Sequence, residues 1–244
     1  MKSNNVLLLV PFAALASCIG GGQATEDEYN DVAQAIGSTT STGNGGGEVG
    51  SFSDSATLAT GQMPAGLSAS GSGHFAGTHL GLDYDYEITC SPAPCGPVTD
   101  SAEVKVSWSG SLDLSNLQAS IDRTGDWTLT GVQSGTATFA GEGSFSFDIA
   151  VQSLFRNASA SYHLDYNATY NAVLIDVATR RPVGGSIHYQ ISAEHDASGP
   201  HGSASGNFDI DAVVTFSANG TATLTLDGSH HYTINLSNGV VTKG

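Results

Sequence analysis

The sequence predicts an all-β fold: a single antiparallel β-barrel or β-sandwich domain of roughly 9–12 strands, preceded by a flexible tether with one short helix. Three observations predict it. From about residue 68 onward, apolar and polar residues alternate with a period of two. Turn-forming pairs punctuate the alternation at Gly184-Gly185, Asn219-Gly220, Asp227-Gly228 and Asn238-Gly239. No helical period lies between the alternating runs, so successive strands connect as antiparallel hairpins and not through crossover helices. Residues 51–244 are assigned to this domain.

The chain begins with Lys2 and then an apolar stretch, VLLLVPFAALA, over residues 6–16. Its length suits the core of a signal peptide and falls short of the roughly 20 residues a spanning helix needs. Pro11 within it also argues against a permanent membrane helix. Residues 1–17 therefore read as a cleaved leader. The segment Leu15-Ala16-Ser17-Cys18 resembles the lipobox of bacterial lipoproteins, a resemblance that covers only the first eighteen residues. It implies that Cys18 Sγ carries diacylglycerol, that the leader is cut before Cys18, and that the new amino group is open to acylation. Ile19 follows the cysteine where aspartate is absent, which in that family implies release to the outer membrane. At about 0.8 kcal/mol per buried CH₂, two or three acyl chains hold a protein almost permanently. The expected partner of Cys18 is thus the membrane itself, and no other stretch is apolar enough to span one.

Three cysteines are an odd number for an exported chain, and lipidation of Cys18 leaves Cys90 and Cys95. They flank CSPAPC, a short loop restricted by two prolines. Outside the cytoplasm such a pair predicts a disulfide; a metal or redox pair is the alternative, which C-x₄-C without nearby histidines does not support.

Residues 18–50 hold the anchor and a tether low in bulky apolar residues, including the linker-like run STTSTGNGGG. A helix is predicted near residues 26–36. Thr25 and Glu28 have capping-box spacing, and acidic residues fill the first turn. Tyr29, Val32, Ala33 and Ile36 form one apolar stripe, and Gly37 suits the C-terminal cap. So short a helix is marginal alone in water, so its stripe is expected to dock on the domain's own sheet; the alternative is contact with another envelope protein.

In the domain, NFDIDAVVTFS places Phe208, Ile210, Ala212, Val214 and Phe216 on one strand face and Asp209, Asp211 and Thr215 on the other. SFSFDIAV repeats the pattern with Phe145, Phe147, Ile149 and Val151 against Ser144, Ser146 and Asp148. YHLDYNATY, SIHYQISAE, EVKVSW and HYTINL do likewise. A sheet with one apolar face must cover that face by rolling up or folding over. A membrane-spanning barrel shows the same alternation, but aromatic girdles at the strand ends are not evident. Residues 135–149 and 220–234 match at seven of fifteen positions, each with an acidic-Gly pair, which predicts duplicated hairpins.

Charge narrows the function. The net charge is −16, and loss of Lys2 with the leader leaves six basic against 23 acidic residues. Nucleic acid and anionic headgroups would repel such a chain. Divalent cations, polysaccharides, neutral surfaces and envelope proteins remain open as partners. In LDYDYEITC, Asp83, Asp85 and Glu87 share one face, but an EF-hand's Gly and final Glu are missing. Side chains two apart on a strand lie about 7 Å apart, so these carboxylates read as a solvated ladder. His163 with Asp165, His188 with Glu194, and the His230-His231 pair lie on polar positions without any zinc-binding spacing. No nucleophile elbow, phosphate loop or dinucleotide fingerprint occurs, and nothing singles out two carboxylates for glycoside hydrolysis. No catalytic residue, metal ligand or cofactor is assigned. The expected role is a non-enzymatic structural or binding module at the outer membrane. The alternatives are a carrier with an apolar barrel cavity, and an envelope hydrolase or metal-binding protein.

Overall fold

The computed structural model describes residues 24, 26–41, 47–79, 82–114, 117–152, 159–199 and 202–244. The leader, Cys18 and Thr25 lie outside these residues. Two helices come first, α1 (Glu26–Thr40) and α2 (Glu48–Ala59). Twelve strands follow. They are β1 (Leu67–Gly71), β2 (His74–His79), β3 (Leu82–Ser91), β4 (Ser101–Leu114), β5 (Leu117–Thr130) and β6 (Thr136–Gln152). The second half comprises β7 (Ser159–Asp176), β8 (Arg181–Gly199), β9 (Gly202–Phe216), β10 (Thr221–Leu226), β11 (His230–Asn235) and β12 (Val241–Lys243).

All twelve strands form one antiparallel sheet in sequence order, each paired with its chain neighbours. The predicted all-β antiparallel fold is present. The sheet is not closed into a barrel, because β1 and β12 end it without pairing to each other among the described residues. Its apolar face is covered by helices instead of by a second sheet. α2 packs against β3, β4 and β8, and Phe52 on α2 meets rings on β5, β6, β7 and β9. Laid flat, β3 and β9 would be separated by six steps of about 4.8 Å, roughly 29 Å. A helix is only about 10–12 Å across. The sheet therefore curls around α2.

The inward faces follow the period of two. In β3, Tyr84, Tyr86, Ile88 and Cys90 are buried while Asp83, Asp85, Glu87 and Thr89 are exposed. The Cys90–Cys95 disulfide is formed at the start of the β3–β4 connection. The stripe Tyr29, Val32, Ala33 and Ile36 is buried, with α1 lying on β10, β11 and β12.

Several local expectations are overturned. α1 does not end at Gly37 but continues to Thr40, and α2 has no counterpart among the expected elements. Gly37 is there for closeness: a Cβ would sit 2.3 Å from Val241 Cγ2 on β12. Residues 38–40, read as linker, are helical and carry buried Thr40. Residues 42–46 of that run lie outside the described residues. Gly184-Gly185 is no turn; it lies within β8, opposite a bulge in β7, and the reversal falls at Val177–Arg180. The duplicated hairpin also fails. Asp227-Gly228 turns between β10 and β11, whereas Glu142-Gly143 sits mid-ladder in β6, opposite Asp126 and Gly125. The glycines there make room. Gly141 has φ +146, and a Cβ on it would lie 2.2 Å from Asp126 O and 3.1 Å from the Trp127 ring. Composition produced the resemblance between the two segments, while the need to seat Trp127 decided what the β6 copy does.

Candidate functional site

The densest chemistry lies inside the curl. Arg123 occupies an inward position of β5, between Ile121 and Gly125, where the strand period points side chains at α2. It is buried, and its guanidinium pairs with the buried carboxylate of Glu48 at the start of α2. Nη1 donates to Ser51 Oγ at 2.9 Å and Nη2 donates to the Tyr170 hydroxyl at 2.9 Å. Tyr170 in turn donates to Glu48 Oε2 at 2.8 Å. The guanidinium plane sits between Trp108 and Trp127, 5.6 and 5.0 Å from their ring centres. One cation thus joins three strands to one helix.

The electrostatics agree with the geometry. Burial alone would pull the Arg123 pKa down, but the Glu48 carboxylate and Tyr170 more than offset it and hold it above its ordinary value. Burial drives the Tyr170 hydroxyl well above its usual range, and Glu48 adds to that against the opposing pull of Arg123. Tyr86 is pushed up chiefly by burial and then by Asp54, to which its hydroxyl donates at 3.4 Å. Arg123 therefore stays charged, and Tyr86 and Tyr170 stay protonated, across neutral pH. Such a cluster clamps; a proton-transfer site needs groups poised near the working pH. Trp108 Nε1, Trp127 Nε1 and the Tyr166 hydroxyl are buried without a hydrogen-bond partner among the described residues.

The outer face is polar and ordered by register. Asp83, Ser109, Asp122, Ser146, Asp165, Ser192 and Asp209 lie side by side across β3 to β9. Acid and serine alternate strictly, so carboxylates in this row stand about 9.6 Å apart, close to the screening length of physiological salt. This row carries its acidity without opposing like charges directly, whereas elsewhere on the sheet Asp126 does stand opposite Glu142. Asp83, Asp85 and Glu87 are exposed, as the solvated-ladder reading expects.

The predicted histidines are scattered. His163 pairs with Asp165 at 3.1 Å and also with Asp148 at 2.6 Å on the neighbouring strand. His188 pairs with Asp211 at 2.6 Å, not with Glu194, which stands opposite His163. His230 stacks on Tyr29 at 3.8 Å and faces Glu26 at 3.5 Å, while His231 meets Thr225. Among the described residues no group of three or more His, Cys, Asp or Glu is placed to hold a metal ion. The Ser120 hydroxyl donates to Asp148 at 3.2 Å, on the same carboxylate that meets His163.

Sequence reasoning missed Arg123 and Glu48. One signal was present: in the run from Ile121 to Leu129, Arg123 has the same parity as Trp127 and Leu129, so it had to point inward. Glu48 lies in a Gly-rich stretch and offered none.

Compared with family models, curated proteins and solved structures, the chain matches none of them.

Proposed function

We propose that this protein is an outer-membrane lipoprotein, anchored through Cys18, whose sheet domain serves as a structural or binding module and not as an enzyme. The observation that supports the module reading is the occupied inner face. Phe52, Ala56 and Leu58 of α2 are buried there, and the Arg123–Glu48 pair holds the start of the helix in place. A carrier of an apolar ligand would have to expel α2 and break that pair. The charged and polar groups left on the surface of β3 to β9 are dispersed, which suits contact with an extended hydrated partner such as a polysaccharide. The lipobox and Ile19 support the anchor.

Metabolic labelling with palmitate tests the anchor. Label is expected on the native protein and lost in Cys18→Ser; an unlabelled native protein released into the medium refutes the anchor. Native mass spectrometry of the protein purified from its envelope tests the module. A bare polypeptide mass plus acyl groups is expected, whereas a stoichiometric apolar ligand or metal would overturn it.

A further inference from the structure

One long strand loses a neighbour part-way along the sheet. β9 pairs with β8 in unbroken register from Ser186 opposite Thr215 to Gly199 opposite Gly202. β10 covers β9 only as far as Leu226 opposite Ala212. Asp227 then closes that ladder: its N–H donates to Asp211 O at 2.8 Å, and its carboxylate accepts from Asp211 N at 2.9 Å. With φ +46 at Asp227 and +68 at Gly228, the chain turns back into β11. Residues 202–210 therefore have no strand on their second side among the described residues.

The strand period fixes which groups are open. Asp211 directs its N–H and C=O toward β10, so Asp209, Asn207, Ser205 and Ser203, at steps of two, direct theirs to the same open side. Gly206, Phe208 and Ile210 direct theirs to β8 instead. The open stretch from Ser203 to Asp209 is about 20 Å long. Other edges of the sheet are short or interrupted. β1 has five residues and a bulge, β12 has three and ends at Lys243, and β4 outruns β3 only by residues 111–114. Residues 203–209 contain no proline, lysine or bulge, the devices that blunt an edge against pairing.

Resting on the reading of the domain as a binding module, and not on the anchor, we infer that this edge of β9 takes up an extended cationic segment of another protein as an added antiparallel strand. Charge selects the partner. Asp209 and Asp211 are exposed on the outward face of β9, and Asp196 and Glu194 on β8 stand opposite Ser205 and Asn207. From the inner side, Glu28 of α1 faces His195, which stands opposite Gly206. Residues 186–211 contain no Lys or Arg to offset these acids. A second copy of the chain, with its own net charge of −16, would bring the same acids to the edge and be repelled. Lys or Arg at the outward positions of the added strand would stand beside Asp209, and an apolar residue at an inward position beside Phe208. Backbone pairing supplies the affinity, and the alternate side chains supply the choice of partner.

Amide hydrogen exchange followed by NMR tests the edge, on the chain from residue 18 onward carrying Cys18→Ser. In the unbound protein the amides of Ser203, Ser205, Asn207 and Asp209 are expected to exchange fast, and those of Gly206, Phe208 and Ile210 slowly. Slow exchange at all of them means the edge is already covered, by a second copy or by the chain itself, and overturns the inference. The probe is the peptide KVKVTVKV, acetylated and amidated at its ends. At saturation it should slow the four open amides at least tenfold. Methylating the backbone nitrogens of its third and fifth residues keeps the charge and blocks antiparallel pairing, so binding should weaken at least tenfold, the loss of one or two hydrogen bonds. Asn207→Pro removes an open N–H without touching the β8 ladder and should weaken binding similarly, whereas Asn207→Ala should change it less than threefold. Equal binding of the methylated peptide refutes strand addition on the native protein itself, and equal binding of EVEVTVEV refutes a cationic partner. A stoichiometric apolar ligand in the native mass spectrum would instead overturn the module reading and leave these measurements standing.

Discussion

Replacing Arg123 by methionine removes a charge of which 2% of the side chain is exposed, and strands a Glu48 side chain that is 6% exposed. Breaking a buried pair in this way costs about 3–5 kcal/mol, because the remaining carboxylate keeps its desolvation penalty and loses its partner. That is a large part of the roughly 5–15 kcal/mol by which a domain is stable. Ser51 and Tyr170 each lose a hydrogen bond as well. Urea unfolding followed by tryptophan emission suits the question, since Trp108 and Trp127 both flank the guanidinium. With a slope of about 2–3 kcal/mol per molar for a domain of this size, the midpoint should fall by about 1–2.5 M. The double variant Arg123→Met with Glu48→Leu removes both charges and should recover most of the loss. A midpoint shift below about 0.3 M for Arg123→Met, or a double variant that costs the sum of the singles, would refute the clamp.

Three further outcomes follow from the same structure. Gly141→Ala should cost more than about 2 kcal/mol, from the Asp126 O contact and a φ of +146, while Gly220→Ala, with open space around it, should cost about 1 kcal/mol; equal melting temperatures for the two would contradict this. Cys95→Ser should lose about 2 kcal/mol, the closure entropy of a loop of about six residues, and a melting curve indifferent to reductant would contradict it. His163 has its pKa raised above 6.5, first by its hydrogen bond to Asp148 and then by Asp165. Its small contribution to stability is therefore complete below pH 6.5 and fades as pH rises through the folded value, so Asp148→Asn should move the ring's NMR titration downward. An unmoved titration would dismiss the pairing.

Much of the sheet is legible in the amino-acid order, and for a simple reason. A strand exposes its period directly in the sequence, so β3, β7, β8, β9 and β11 can be read from which residues alternate. Turns with Asn-Gly and Asp-Gly pairs are legible too, at Asn219, Asp227 and Asn238, because φ > 0 there demands those residues. Glycines elsewhere mislead. Gly37, Gly141 and Gly184 serve close approach or a bulge, and a sequence cannot show which partner approaches. The disulfide is legible because five residues of separation leave the two cysteines little room to avoid each other. The interior cluster is half legible: the inward parity of Arg123 announces a buried cation, but its counterion comes from Glu48, 75 residues earlier.

By itself, the sequence determined the class of the protein: an acidic, antiparallel sheet domain with one apolar face. Those features depend on neighbours along the chain, within the reach of a turn or a strand's period. Only the tertiary structure decided what covers the apolar face. Two helices that are too short to persist alone become stable by filling the curl of twelve strands, and the burial they gain there depends on residues far apart in the chain. That choice takes α1 and α2 out of the expected tether and makes them part of the folded domain.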